Sequence, residues 1–176
     1  MNPIETLLVF LQDVMAQVPF FVQPLIVAVA AMIPFVEGEL ASVLGVWAGL
    51  NPIVAGIAAA AGNFASVLLV VLFGARVRAA IVARRARRRV ETDEPAPEPK
   101  PESKGRQRFR RFLVRFGVPG ASILGPLALP TQITSAMLVS TGVSKQWVLL
   151  WQGVAIVLWT TLTTLVAAGV LAVVHP

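Results

Sequence analysis

Cysteine is absent from the 176-residue chain, which excludes a disulfide framework, a thiol nucleophile and a Cys-ligated metal. Histidine occurs once, as the penultimate residue His175, a position that reads as a frayed terminus rather than a ligand. There is no GxxxxGK[ST] loop and no hydrolase or redox constellation. The expectation is therefore a protein that is not an enzyme and carries no cofactor or metal. Charge is also scarce: 14% of residues are charged, against about 25% in an ordinary soluble domain. Lys and Arg are missing outside residues 76–115, with Lys145 the one exception. None precedes the first apolar stretch, where Glu5 and Asp13 stand instead, so no secretory signal is expected.

What remains is apolar. Hydrophobic residues make up 56% of the chain, and the mean hydropathy is +0.76. This composition predicts an all-α integral membrane protein, multi-pass in the cell membrane. The net charge of +6 then reads as membrane orientation and contact with anionic lipid, not as nucleic-acid binding.

One segment divides the chain. Residues 76–105 begin with a basic run, Arg76 to Arg89, and continue as Glu91-Thr92-Asp93-Glu94-Pro95-Ala96-Pro97-Glu98-Pro99, alternating proline with charge. The proline-and-charge part, Glu91 to Glu102, is expected to be an extended linker, because proline removes donors and nothing apolar is available to bury. On either side lie two halves of similar layout, residues 1–75 and 106–176. In the first, a mostly apolar segment at 4–18 precedes two short runs within 20–50. A turn at Asn51-Pro52 then leads into a run at 52–74 long enough to cross a membrane. The second begins with an amphipathic helix at 106–116, whose Phe109, Phe112, Leu113 and Phe116 recur at helical spacing and predict a helix lying on the membrane surface. Broken short runs at 117–142 and a span at 146–174 follow. Aligning Gly49-Leu50-Asn51 with Gly142-Val143-Ser144 brings Glu39 into register with Gln132, and Gly62-Asn63 near Gln152-Gly153. The predicted fold is two inverted repeats, each an amphipathic helix, a re-entrant helical hairpin and a transmembrane helix. Four or five ordinary spans are the alternative. The positive-inside rule places residues 76–116 in the cytoplasm and both termini outside.

Glu37 and Glu39 lie within Ile33-Pro34-Phe35-Val36-Glu37-Gly38-Glu39-Leu40, with no Lys or Arg nearby and long apolar runs on both sides. A carboxylate in hydrocarbon is costly unless it is protonated, paired or wetted. Beside a helix-breaking Pro34 and Gly38, the pair suggests a broken helix lining a cavity; acids facing water from a bilayer-edge loop are the plainer reading. The tip of the second hairpin brings Pro130, Thr131, Gln132, Thr134 and Ser135. Two carboxylates in low dielectric favour a held proton, which proton-coupled export requires. A Glu39–Gln132 hydrogen bond locking the tips is the structural counterpart of that reading. Thr131, Thr134 and Ser135 stand at the expected start of a half-helix, where free N–H groups favour an anion, or where Thr131 simply acts as the N-cap. Asn63 and Gln152 are single amides in the two long runs, read either as substrate-binding residues or as interhelical hydrogen-bonding glue. Trp147 and Trp151 read as interface anchors and Trp159 as packing.

This arrangement resembles the DedA-like (VTT-type) membrane protein superfamily. Within it, the Ile33–Glu39 block, Gly62-Asn63 and the Pro130-Thr131 pair resemble the small multidrug export protein family. The resemblance covers nearly all of the chain outside the linker. It implies a transporter, with proton-coupled export of a small amphiphilic, drug-like cation as the leading expectation. The alternative it implies is a flippase for undecaprenyl phosphate or another lipid phosphate. DedA-like flippases carry Arg in the second hairpin, whereas Gly125–Gln132 has none. A third reading is a non-transporting membrane assembly protein. The expected partners are membrane lipids, protons and the substrate, with no nucleic acid; homo-oligomerisation is compatible with all three.

Overall fold

The computed structural model describes residues 3–92 and 104–174, and among them all regular secondary structure is helical. The helices are α1 (Pro3–Ala16), α2 (Gln23–Ala31), α3 (Glu37–Trp47), α4 (Pro52–Thr92), α5 (Lys104–Leu124), α6 (Thr131–Ser140) and α7 (Lys145–Val174), with one 3₁₀ turn at Gly125–Leu127 between α5 and α6. Two of them are long and apolar enough to cross a membrane: the first part of α4, Pro52–Gly74, and nearly all of α7.

Local chemistry sets the boundaries. The Asn51 side chain accepts the Ile53 N–H at 2.9 Å and caps α4, with Pro52 in the first turn, where its missing N–H costs nothing. Helices α3 and α6 end in the same way. Gly49 (φ 95) and Gly142 (φ 93) adopt the left-handed conformation just past each helix. The following residue donates back to the third-last helical turn position, Leu50 to the Gly45 carbonyl at 3.1 Å and Val143 to the Leu138 carbonyl at 3.4 Å. These are the two positions that the sequence register pairs.

The basic run is helical. Helix α4 does not end near Gly74 but continues through it to Thr92. Its alternating Ala and Arg are strong helix formers, so the backbone stays regular after the apolar surface has run out. The proline-rich residues expected to be extended lie at 93–103, outside the described residues, as does His175. Helix α5 is two segments. Gly117 (φ 67, ψ −173) breaks it in a conformation open essentially to glycine alone, and Pro119 starts the second segment.

Helix α5 also departs from the surface-helix expectation. Phe109 is buried, packed with Val67 and Val71 of α4 and Val148 of α7, and Phe112 and Leu113 lie partly buried against them. The apolar stripe is thus covered by the protein's own helices, with only Phe116 left substantially exposed.

The core has two apolar layers with a polar layer between them. One contains Val27, Ala31, Ala41, Val46, Ala55, Ala59 and Ala167. The other contains Val67, Val71, Phe109, Ala121, Leu138, Val148 and Ile156. Because α4 enters the first layer by its early residues and α7 by its late ones, the two long helices run antiparallel. Asn63, midway along Pro52–Gly74, and Thr160, midway along α7, both fall between the layers, fully or almost fully buried.

Candidate functional site

The two short helices that begin after a proline break point their N-termini into this polar layer. In the first, Pro34 interrupts the chain after α2, Phe35 (φ 72) and Glu37 (φ 50) take left-handed conformations, and α3 starts at Glu37. Such angles are unfavourable for non-glycine residues and persist where surrounding contacts hold them. In the second, Pro130 (φ −53, ψ 143) is the N-cap of α6 and Thr131 its first helical residue.

Glu37 joins the two. Its Oε1 accepts the Thr131 backbone N–H at 2.6 Å and the Thr131 hydroxyl at 2.6 Å. A helix N-terminus presents unsatisfied N–H groups and partial positive charge, and here a carboxylate from the other half of the chain fills that position. The Thr131 Oγ1 also lies 3.0 Å from Asn63 Oδ1. Gln132 Nε2 donates to Ser66 Oγ at 2.9 Å, with Asn63 Oδ1 at 3.4 Å, and Ser66 in turn donates to the Asn63 carbonyl at 2.7 Å. Glu37, Thr131, Asn63, Gln132 and Ser66 therefore form one buried network linking α3, α6 and α4. Close packing supports it: a Cβ on Gly38 would fall 2.2 Å from Thr160 Oγ1, so only glycine lets α3 approach α7 this closely.

The pairing differs from the sequence register in two respects. Gln132 bonds to Ser66 and Asn63 of α4, not to Glu39; the link between the hairpin tips is Glu37–Thr131. Nor is Thr131 an N-cap, since Pro130 holds that place and makes no side-chain cap bond. The remaining expected residues are spread around the network. Ser135 donates to the Thr131 carbonyl one turn back at 2.6 Å. Thr134 and Gln152 are fully buried, with the Thr134 hydroxyl and both Gln152 amide atoms lacking a hydrogen-bond partner.

Glu39 stands apart from the network. Both of its carboxylate oxygens are buried without a partner. With Glu37 it lines a cavity of about 300 Å³ bounded by Phe35 of the first break, Leu40 of α3, Pro126 and Leu129 of the second break, and Trp159 of α7. Among the described residues no basic side chain lines this cavity. An ionised, unpaired carboxylate in such surroundings is costly, so the site is suited to taking up a proton or a cationic group. The Trp159 indole N–H donates to the Ile123 carbonyl at 2.8 Å, which fixes the ring at the cavity wall. Ring faces attract cations, and the cavity volume matches the small end of ligand pockets, about 300 Å³.

Sequence reasoning missed Ser66, Trp159 and Thr160. Ser66 follows Asn63 by three residues, which places both on one face of α4. Thr160 follows Gln152 by eight, again on one face of α7. These helical intervals were the available signal. No known family model, curated protein or solved structure matches this chain.

Proposed function

We propose that the protein is an integral membrane transporter that exports a small amphiphilic substrate, in its charged form a cation, in exchange for protons taken up at Glu39. The observation that carries this reading is the Glu39 carboxylate, buried and unpartnered in a cavity without basic residues between the two proline breaks. In this reading the two breaks are re-entrant hairpins in inverted halves. The linker 76–116 is cytoplasmic, both termini are outside, and the likeness to the DedA-like superfamily is one of descent. Supporting it, each half offers a short broken pair of helices and one apolar span, and the polar layer lies midway along both spans.

The geometry favours a cation over a lipid phosphate. The N-terminus of α6, the place a phosphate would take, already receives the Glu37 carboxylate, and a second anion there would meet repulsion instead of free donors. The reading as a membrane assembly protein is supported by the Glu37–Thr131 link alone, which a purely structural role also explains.

Transport by the full-length protein in proteoliposomes, with and without an imposed pH gradient, tests the proposal. Glu39→Gln should abolish gradient-driven uptake of a cationic dye while the protein remains folded. Undiminished gradient-driven transport by this variant would end the proton-coupling reading. Transport of a lipid phosphate in place of the dye would favour the flippase.

A further inference from the structure

The first segment of α5 has a second face that the transport site does not use. Phe109, Phe112 and Leu113 turn this helix toward the apolar cluster and α7, so its rotation is set. At 100° per residue, Arg108, Arg111 and Arg115 then fall within about 60° of one another, along one edge of the buried stripe. All three side chains are exposed. Phe109 packs in one cluster with Val71, three residues before the apolar part of α4 ends at Gly74. Arg76, exposed and lying over the Phe73 ring at 5.9 Å, begins the charged part of α4 just beyond. Phe116 is 44% exposed beside Arg115, whose guanidinium lies 5.3 Å from its ring centroid. The Arg76 and Arg115 guanidinium groups, each with an aromatic neighbour, are side chains of the kind that pair an apolar contact with a lipid headgroup.

We infer that Arg108, Arg111 and Arg115, with Arg76, form a docking surface for anionic lipid headgroups in the leaflet at the α5 end of the molecule. The inference rests on the membrane reading above but not on transport. Charge complementarity commits the surface to anionic over zwitterionic lipid. The guanidinium fork pairs with phosphate in either, but only an anionic headgroup lacks a competing cation.

The test is native mass spectrometry of the full-length protein released from nanodiscs of mixed phosphatidylglycerol and phosphatidylcholine. Incorporation into the nanodisc reports on the membrane reading; the identity of the retained lipids reports on this one. Wild type should retain phosphatidylglycerol in preference to phosphatidylcholine, and the preference should shrink with added salt. Each basic side chain near an anionic surface favours it by about fivefold, so the triple variant R108Q/R111Q/R115Q should lose at least about tenfold of the preference. The triple Lys variant at the same positions should keep most of it. R84Q/R87Q, farther along α4 and also exposed, should change it little. The melting temperature of each variant, measured alongside, separates lipid loss from unfolding. Equal retention of both lipids by wild type would overturn the inference and leave the arginines to an acidic soluble partner. A triple Gln variant that stays folded and keeps the wild-type preference would overturn it too, as would an equal loss in R84Q/R87Q.

Discussion

Replacing Glu37 with Ala should destabilise the protein by about 2–4 kcal/mol. Glu37 is 6% exposed and accepts two hydrogen bonds from Thr131. The losses are unequal. The Thr131 hydroxyl retains a second acceptor, Asn63 Oδ1, 3.0 Å away, whereas the Thr131 N–H is left without one. A stranded buried donor costs about 1–3 kcal/mol, and the lost methylene adds about 0.8. Glu37→Gln keeps an acceptor oxygen and should cost about 1 kcal/mol. Thermal melting in detergent reads these values as shifts of about 2–4 °C per kcal/mol for a chain of this size. A double-mutant cycle isolates the hydroxyl bond, because Thr131→Val removes the hydroxyl and leaves the N–H in place. The coupling between Glu37→Ala and Thr131→Val should be about 1–2 kcal/mol, above the roughly 0.6 average for interhelical bonds between neutral groups in membranes, because the acceptor is a carboxylate. A Glu37→Ala protein melting within about 2 °C of wild type, together with a coupling below about 0.3 kcal/mol, would refute the assignment of Glu37 as the link between the two hairpin tips.

Three further outcomes follow from the same geometry. Gly38→Ala places a methyl 2.2 Å from Thr160 Oγ1 and should cost about 1–3 kcal/mol, with Thr160→Ala restoring most of the loss; a Tm unchanged by Gly38→Ala would show that α3 does not pack on α7 as described. Gly117→Ala forces a Cβ into φ 67, ψ −173 and should lower stability by about 1–3 kcal/mol, whereas a neutral result would mean that α5 is continuous through this point. Single cysteines placed at Gln12 and Asn51 in this cysteine-free chain should react with a membrane-impermeant thiol reagent from the same side, and reaction from opposite sides would replace the re-entrant hairpin by an ordinary crossing.

A local signal existed wherever a boundary was legible in the sequence. Asn51-Pro52 marks the start of α4, Gly49 and Gly142 close the two short helices, and Pro34 and Pro130 precede the starts of α3 and α6. Each acts through its own backbone, so neighbouring residues suffice to read it. The two long apolar stretches were legible for the same reason: length and composition need no partner. The length of α4 was not legible, because charge marks where apolar surface stops, not where a helix stops, and the Ala and Arg of the basic stretch continue the helix.

Composition alone determined that this chain is helical, apolar and interrupted twice near carboxylates and amides. Only tertiary structure decided which carboxylate does what. Glu37 and Glu39 both line the cavity, but only Glu37 is hydrogen-bonded to Thr131. Sequence spacing does not say which one turns toward Thr131. Aligning the halves pairs Glu39 with Gln132, but contact depends on how α3 and α6 are rotated against α4 and α7. That rotation is set by close packing at Gly38 against Thr160 and by the hydrogen bonds of Asn63, residues far from Glu37 or Glu39 in the chain or silent in their spacing. The packing gives Glu37 the helix N-terminus and leaves Glu39 facing the cavity without a partner.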